Sequence, residues 1–352
     1  MQEGIVTALP PSGFIRRIIY FPPTHMYRKL LIFSLCLLPL WAAAIDVRKK
    51  GGTMSSQEIT ADSLLKEADS LFKRKDYPAA LDSYHRVVDT AREEFNYSVE
   101  TEALAQIARC LLIDGKVDQG REFLSRAQQR ANVTDPMGWT RFLSVKGRFE
   151  WKSDSLDSAR ATFTDMYSYC EEHSLWGRMV DAANMMALVS DKYDDQVAWS
   201  NKGIEAAENG GEEQWLGPLW NNLGGTFYDN KQFDSALECY LKAREYHWRF
   251  SDETAKLFAD YHVGMTYRVL GNLTEAGRWL RPVLAWAERI GNHSAIAQAL
   301  QDLGEIDIAD GRKESGLAQL IRAREEYVAA GYEKAAPDIL SSLNARINEL
   351  GG

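Results

Sequence analysis

The chain lacks the marks of a catalyst. No Gly-x-x-x-x-Gly-Lys-Ser/Thr loop is present to cradle a nucleotide phosphate. No His-Glu-x-x-His pair is set to hold zinc, and no Gly-x-Ser-x-Gly turn exposes a nucleophile. The six histidines (His25, His85, His173, His247, His262 and His293) are too scattered for a shared metal or proton relay. Paired acids such as Glu171-Glu172 and Glu325-Glu326 read as solvated faces. Nothing here implies a cofactor, a metal or an enzyme.

Cysteine is also scarce. Cys36 lies in an apolar N-terminal run, while Cys110, Cys170 and Cys239 are far apart and match no zinc or redox spacing. Cys110 and Cys239 read as small apolar residues of a core. Basic charge is in deficit. The formal net charge is −9; residues 1–44 contribute +3 of it, so residues 45–352 carry −12. An acidic body argues against nucleic acid as a partner, because phosphate recognition needs a basic surface.

A long apolar run is missing too. The strongest is Leu30–Leu40, shorter than the ~20 residues that span a bilayer. It follows Arg28-Lys29 and ends at Ala42-Ala43-Ala44, the layout of a secretory signal peptide over residues 26–44. Cleavage is expected after Ala44, giving an exported, periplasmic or secreted bacterial protein with no stable membrane span. Arg48-Lys49-Lys50 just downstream leaves an uncleaved anchor as the alternative. Leu35 before Cys36 disfavours a lipoprotein. Residues 1–25 carry Pro10-Pro11 and Pro22-Pro23, fit no repeat and read as an unstructured extension, with translation starting at Met26 as an alternative. Residues 45–60, with Gly51-Gly52, read as a linker.

What the chain does have is a period. Small residues recur at Ala68, Ala108, Gly147, Ala187, Gly224, Gly264 and Gly304, at spacings of 40, 39, 40, 37, 40 and 40. Twelve residues after each come Ala80, Gly120, Ala159, Trp199, Ala236, Ala276 and Gly316. Sixteen after come Tyr84, Leu124, Phe163, Gly203, Tyr240, Leu280 and Leu320. Two antiparallel helices that cross closely need small residues at the crossing and bulk beside it. Trp199 and Gly203 break the rule in the fourth repeat, and a one-residue shift placing Ala198 at the crossing repairs part of it. Gly115, Gly271 and Gly311, each seven residues past an anchor, suit the left-handed position that ends a helix. In the fifth repeat Asp229-Asn230-Lys231-Gln232 reads as the turn, with Asp234 or Ser235 as the cap of the second helix.

Trp220, Leu223, Gly224 and Phe227, followed by Ala236, Tyr240 and Ala243, make the pattern of a tetratricopeptide repeat. Over residues 61–350 the chain resembles that family, in a long-repeat form similar to exported modules that accompany bacterial sensors and regulators. The resemblance implies an all-α fold: a right-handed solenoid of about seven helix pairs over residues 61–336, with a capping helix at 337–352. Pro337 suits that helix's start, Leu340, Leu343 and Ile347 its apolar face, and Gly351 its end.

Such a scaffold implies a protein or peptide partner in a groove lined by the first helices. Three residues before each anchor stand Leu65, Ala105, Ser144, Asn184, Asn221, Tyr261 and Gln301, of which the last four hydrogen-bond. An amide offers a donor and an acceptor, matching a peptide unit. Tyr228, Met265 and Arg268 fall on the same predicted face. The expected peptide site is therefore Asn184, Asn221, Tyr228, Tyr261, Met265, Arg268 and Gln301, with a solvated groove as the alternative. The alternative function is a ligand-sensing or regulatory module acting through a separate signalling partner. Asn-x-Ser/Thr occurs at Asn96, Asn132, Asn272 and Asn292 and would matter only in a eukaryotic secretory pathway, whereas Asp-Ser-apolar triplets such as Asp62 and Asp234 read as helix caps and turns ahead of glycosylation signals.

Overall fold

The first described helix shows how this chain starts its elements. The Thr60 side chain accepts from the Ser63 amide, while the Ser63 hydroxyl accepts from the Thr60 amide. This reciprocal cap satisfies two donors that a helix start leaves open. Asp76, Asn96, Asp135, Asp252, Asn272 and Asn292 cap later helices with their side chains. Each such cap contributes roughly 0.5–2 kcal/mol. Three of the four Asn-x-Ser/Thr asparagines are among them.

The computed structural model describes residues 60–351. The leader, the extension before it and the linker up to residue 59 lie outside the described residues. Hairpins follow in order: α1 (Ala61–Lys73) with α2 (Tyr77–Glu93), α3 (Tyr97–Ile113) with α4 (Val117–Arg130), and α5 (Pro136–Lys152) with α6 (Leu156–Glu172). Then come α7 (Trp176–Val189) with α8 (Tyr193–Asn209), α9 (Leu216–Asp229) with α10 (Phe233–Phe250), α11 (Glu253–Val269) with α12 (Leu273–Ile290), and α13 (His293–Ala309) with α14 (Lys313–Ala329). A one-turn helix α15 (Tyr332–Ala335) and α16 (Pro337–Glu349) complete the described chain. No strand occurs among the described residues. The helices group into two compact units, one ending at Arg178 and the other beginning at Met179. Each is a stack of antiparallel helix hairpins, and the fold is an all-α solenoid.

Reversal inside a hairpin uses one left-handed residue, seven past the anchor. Lys75, Gly115, Asp154, Lys231, Gly271 and Gly311 have φ of 65°, 77°, 63°, 59°, 79° and 82°. The anchors themselves are where backbones meet. A Cβ on Gly147 would lie 2.6 Å from the Phe163 ring, and one on Gly224 would lie 2.8 Å from the Tyr240 ring. Gly304 and Gly316 bring two backbones together: a Cβ on Gly316 would lie 2.6 Å from the Gly304 carbonyl oxygen.

Two expectations need correction. Gln232, not Asp234 or Ser235, is the N-cap of α10, and its side chain makes no capping bond. Asp234 instead occupies the first turn, where its charge favours the helix dipole. In the fourth repeat, α7 ends two residues after Ala187, whereas α9 runs five past Gly224. The left-handed turn residue is gone, and α8 starts correspondingly early. The close contact is therefore between Ala183 and Gly203: a Cβ on Gly203 would lie 3.4 Å from the Ala183 Cβ. Ala198 is exposed and Ala187 only half-buried. Ser200 takes the seam place that Tyr84 and Tyr240 fill in other hairpins.

The second unit's core runs from Tyr228 and Ala236 through Leu257, Val263 and Leu280 to Leu303 and Leu320. Fully burying one such Leu or Val contributes about 1.5–3 kcal/mol. The α16 residues Leu340, Leu343 and Ile347 join this core, and α16 packs on α14 and α15. Cys110, Cys170 and Cys239 are buried and form no disulfide with one another. Burial pushes the Cys110 and Cys239 thiols up to about 12. Among the described residues, no helix is long and apolar enough to cross a membrane.

Candidate functional site

The first helices of the hairpins, α3, α5, α11 and α13 above all, are buried along most of their length. Several of their polar side chains meet across repeats. In the unit beginning at Met179, Asn222 Nδ2 on α9 donates to Asn184 Oδ1 on α7 (2.9 Å). His262 Nδ1 on α11 pairs with Asn221 Oδ1 on α9 (2.8 Å). Arg268 Nε on α11 lies 2.6 Å from Asp302 Oδ1 on α13. Tyr327 on α14 donates to Gln301 Oε1 (3.0 Å). Arg346 on α16 forks onto Glu305 on α13, at 2.9 and 3.0 Å.

The seven residues expected to line a peptide groove thus divide. Tyr228, Tyr261 and Met265 are core residues rather than an open platform. Tyr228 meets Phe233 edge-on, and Tyr261 meets Phe258 the same way. Burial and the neighbouring Asp302 push the Tyr261 phenol well above its ordinary value, so it stays a neutral donor to that carboxylate. Asn184 is buried and bonded to Asn222. Arg268, half-buried, is held charged: burial works against the charge, and Asp302 outweighs it. Asn221 and Gln301 remain half-buried. Each fixes its carbonyl oxygen on a neighbour, His262 or Tyr327, and keeps an NH2 group that bonds no described residue.

His262 stacks on Tyr240 at 4.9 Å, and burial together with the nearby His247 pushes it down to about 3. His247 accepts or donates at Ser251 Oγ (2.7 Å); burial pushes it down to about 4 against a weaker pull from Asp252. Both imidazoles are neutral near neutrality.

The unit ending at Arg178 holds a second network that the sequence pattern did not single out. Arg141 on α5 reaches Asp69 Oδ2 on α1 (3.1 Å) and Glu102 Oε2 on α3 (3.2 Å). Arg178 also bonds Glu102. Tyr84 donates to Asp69, and Gln106 donates to both Asp69 (3.2 Å) and Tyr84 (2.9 Å). Burial alone would raise the Asp69 carboxyl. Arg141 and the hydrogen bonds from Tyr84 and Gln106 outweigh it and hold Asp69 below its ordinary value. A signal was available: Glu102 and Arg141 each stand six residues before an anchor, Ala108 and Gly147, with opposite charge. Among the described residues no cluster of His, Cys, Asp and Glu has the makings of a metal site.

No protein-family model and no curated protein matches this chain. Solved structures do. The STAND signal-transduction ATPase PH0952 of Pyrococcus horikoshii, with its tetratricopeptide repeat sensor, aligns with a TM-score of 0.65 at 12% identity. That alignment covers 82% of this chain and 44% of that one, so this chain spans less than half of its length. The apo form of RapI aligns with a TM-score of 0.60 at 14% identity, covering 76% of this chain and 77% of that one. BtubC from P. vanneervenii gives 0.52 at 14%, covering 67% and 94%. Identities this low speak for architecture alone. The repeat motif, the hairpin stack and these likenesses agree: the chain has the fold of the tetratricopeptide-repeat solenoids.

Proposed function

We propose that this protein is an exported, non-enzymatic scaffold that binds a protein or peptide along the inner layer formed by its first helices. The observation that carries this reading is the pair of half-buried amides, Asn221 and Gln301. Each has its oxygen fixed by a neighbouring residue, His262 or Tyr327. An amide held this way presents its NH2 group to an incoming peptide carbonyl without losing rotamer freedom on binding, which favours affinity. Arg268 and Glu305 lie on the same layer, paired with Asp302 and Arg346. The acidic body speaks against nucleic acid as the partner. The fold-level likeness to RapI and to a tetratricopeptide sensor is an analogy that supports partner binding. The sensor likeness also favours a second reading, a ligand-sensing or regulatory module that signals through a separate membrane partner.

Affinity capture from the exported fraction, followed by titration of the captured partner, tests the proposal. Asn221→Asp/Gln301→Glu keeps both oxygens for His262 and Tyr327 and removes both NH2 groups. Affinity should fall about 5–150-fold, since each of the two lost hydrogen bonds is worth ~0.5–1.5 kcal/mol. Unchanged affinity in a folded double variant removes the inner layer from consideration. Export is read separately, by N-terminal sequencing: the mature chain should begin at or near Ile45, and a chain retaining Leu30–Leu40 in the membrane fraction contradicts cleavage.

A further inference from the structure

Arg268 is paired on one edge only. Its Nε lies 2.6 Å from Oδ1 of the buried Asp302. Neither Nη group hydrogen-bonds a described residue, and the side chain keeps 17% of its surface exposed. Nε itself is buried, so the exposed part of Arg268 is its Nη edge. A guanidinium is a planar fork of N–H donors, most of them on the Nη groups. Most of this fork therefore reaches the surface of the inner layer, while Nε and Asp302 sit behind it.

Packing does not require a charge at either place. Arg268 stands four residues past its anchor Gly264, where Leu112 and Ile308 stand past Ala108 and Gly304. Asp302 stands two residues before Gly304, where Val145 and Met185 stand before Gly147 and Ala187. Hydrophobic residues fill both places elsewhere in the array. An ion pair taken out of water adds little stability over a well-packed apolar pair. What Asp302 does is hold the guanidinium charged and fix its orientation, so that the fork is preorganised.

The groups around the fork are also donors. Gln301, next to Asp302 on α13, keeps an NH2 group that bonds no described residue. The Tyr228 hydroxyl on α9, beside Arg268, likewise bonds no described residue. Arg346 and Glu305 satisfy each other. A ligand that matches this set is rich in acceptor oxygens. Two parallel N–H donors suit the two oxygens of a carboxylate, and a single carbonyl uses only part of them. Asp302 repels such a ligand, but it lies behind the guanidinium and farther from the incoming charge, so the nearer cation prevails.

We propose that the Nη edge of Arg268 binds a carboxylate of the peptide held along the inner layer. The proposal rests on the peptide-binding reading and adds the charged group that is recognised. Two random hexapeptide libraries test it, one with free C-terminal acids and one with C-terminal amides, each passed over the immobilised protein. Retained peptides are sequenced and titrated. Enrichment of Asp or Glu from both libraries assigns the carboxylate to a side chain, and retention from the acid library alone assigns it to the C-terminus. Converting that carboxylate to an amide should weaken binding about 10–150-fold, the worth of a hydrogen bond to a charged group. Arg268→Met/Asp302→Asn removes both charges and leaves an acceptor for Tyr261; it should bind the acid and amide forms equally. Arg268→Lys keeps the ion pair, loses the fork and should bind the acid form more weakly than wild type. Retained peptides with no carboxylate preference overturn the proposal, as does a preference undiminished in both folded variants. If Asn221→Asp/Gln301→Glu still weakens those peptides, the inner layer binds peptide without this contact. Libraries from which nothing is retained overturn both readings.

Discussion

Gly316→Ala probes the packing of the solenoid where two backbones meet. The new methyl would lie 2.6 Å from the Gly304 carbonyl oxygen and 2.5 Å from Ile308 Cγ1. Comfortable contacts lie near 3.5–4.0 Å. Ile308 is a side chain and can turn aside. The Gly304 carbonyl belongs to the α13 backbone and cannot, so α13 and α14 must part by roughly 1 Å. A gap of that size forfeits about a quarter to a half of each contact's dispersion energy along the seam, and overpacking of this kind costs ~1–3 kcal/mol. Alanine's better helix propensity returns up to ~1 kcal/mol, less here because Gly316 lies in the first turn of α14. The net expectation is a loss of about 2 kcal/mol, or a midpoint lower by about 4–8 °C in an array of this size. Far-ultraviolet circular dichroism melts measure it. Gly224→Ala is the comparison: its methyl meets Tyr240 ring carbons at 2.8 Å, and a ring can tilt, so the loss should stay below ~1 kcal/mol. A Gly316→Ala midpoint at or above wild type refutes the reasoning. So does an Ile308→Ala/Gly316→Ala protein as stable as wild type, because the carbonyl clash would still be there.

Other expectations follow from the polar pairs. Arg141→Met should cost ~1–3 kcal/mol in a urea titration, because the half-buried Asp69 loses its cation while Glu102 keeps Arg178; adding Asp69→Asn should recover most of it, and a neutral single variant would show the network to be idle. Asn221→Ala should lose ~1–3 kcal/mol by leaving the buried His262 Nδ1–H unpaired. His247 and His262 make stability depend on pH. Their folded values, about 4 and about 3, lie below the unfolded value near 6.5. The unfolded chain therefore takes up protons first as pH falls, so their contribution is whole above about pH 6.5 and is lost progressively towards pH 4 and then 3. Near pH 4.5 each should cost roughly 2–3 kcal/mol, and His262→Gln should flatten that part of the pH–stability curve; an unchanged slope would mean that the imidazoles are solvated.

How much of this was legible in the chain depends on what each residue has to do. A small residue at a helix crossing has no substitute, so the forty-residue recurrence of Ala and Gly revealed the hairpins and their order. Seam fillers such as Phe163 and Tyr240 followed at fixed distance. The fourth repeat was harder. Its 37-residue spacing announced missing residues without saying where, and only the meeting of Ala183 with Gly203 locates the loss in the α7–α8 turn. Asn184, Asn221, Tyr261 and Gln301 were placed together on one face of the first helices, but how open that face is was not readable. Neighbouring first helices approach closely enough for these side chains to satisfy one another, and pairing across forty residues leaves no local pattern. Asp69, Glu102 and Arg141 were missed for a related reason: a charge on a helix looks solvated until its partner one repeat away is known.

The alternation of charge between Glu102 and Arg141 also bears on how the chain avoids mistakes. Hairpins built on one plan are interchangeable to the hydrophobic effect, and a nascent chain could stack α5 where α3 belongs with little loss of apolar contact. The charged positions act as an address. Arg141 pairs with Asp69 on one side and Glu102 on the other, and a slip of one period would part it from at least one of them. In a molecule made of near-copies, two carboxylates and an arginine can prescribe the sequence in which the copies are assembled.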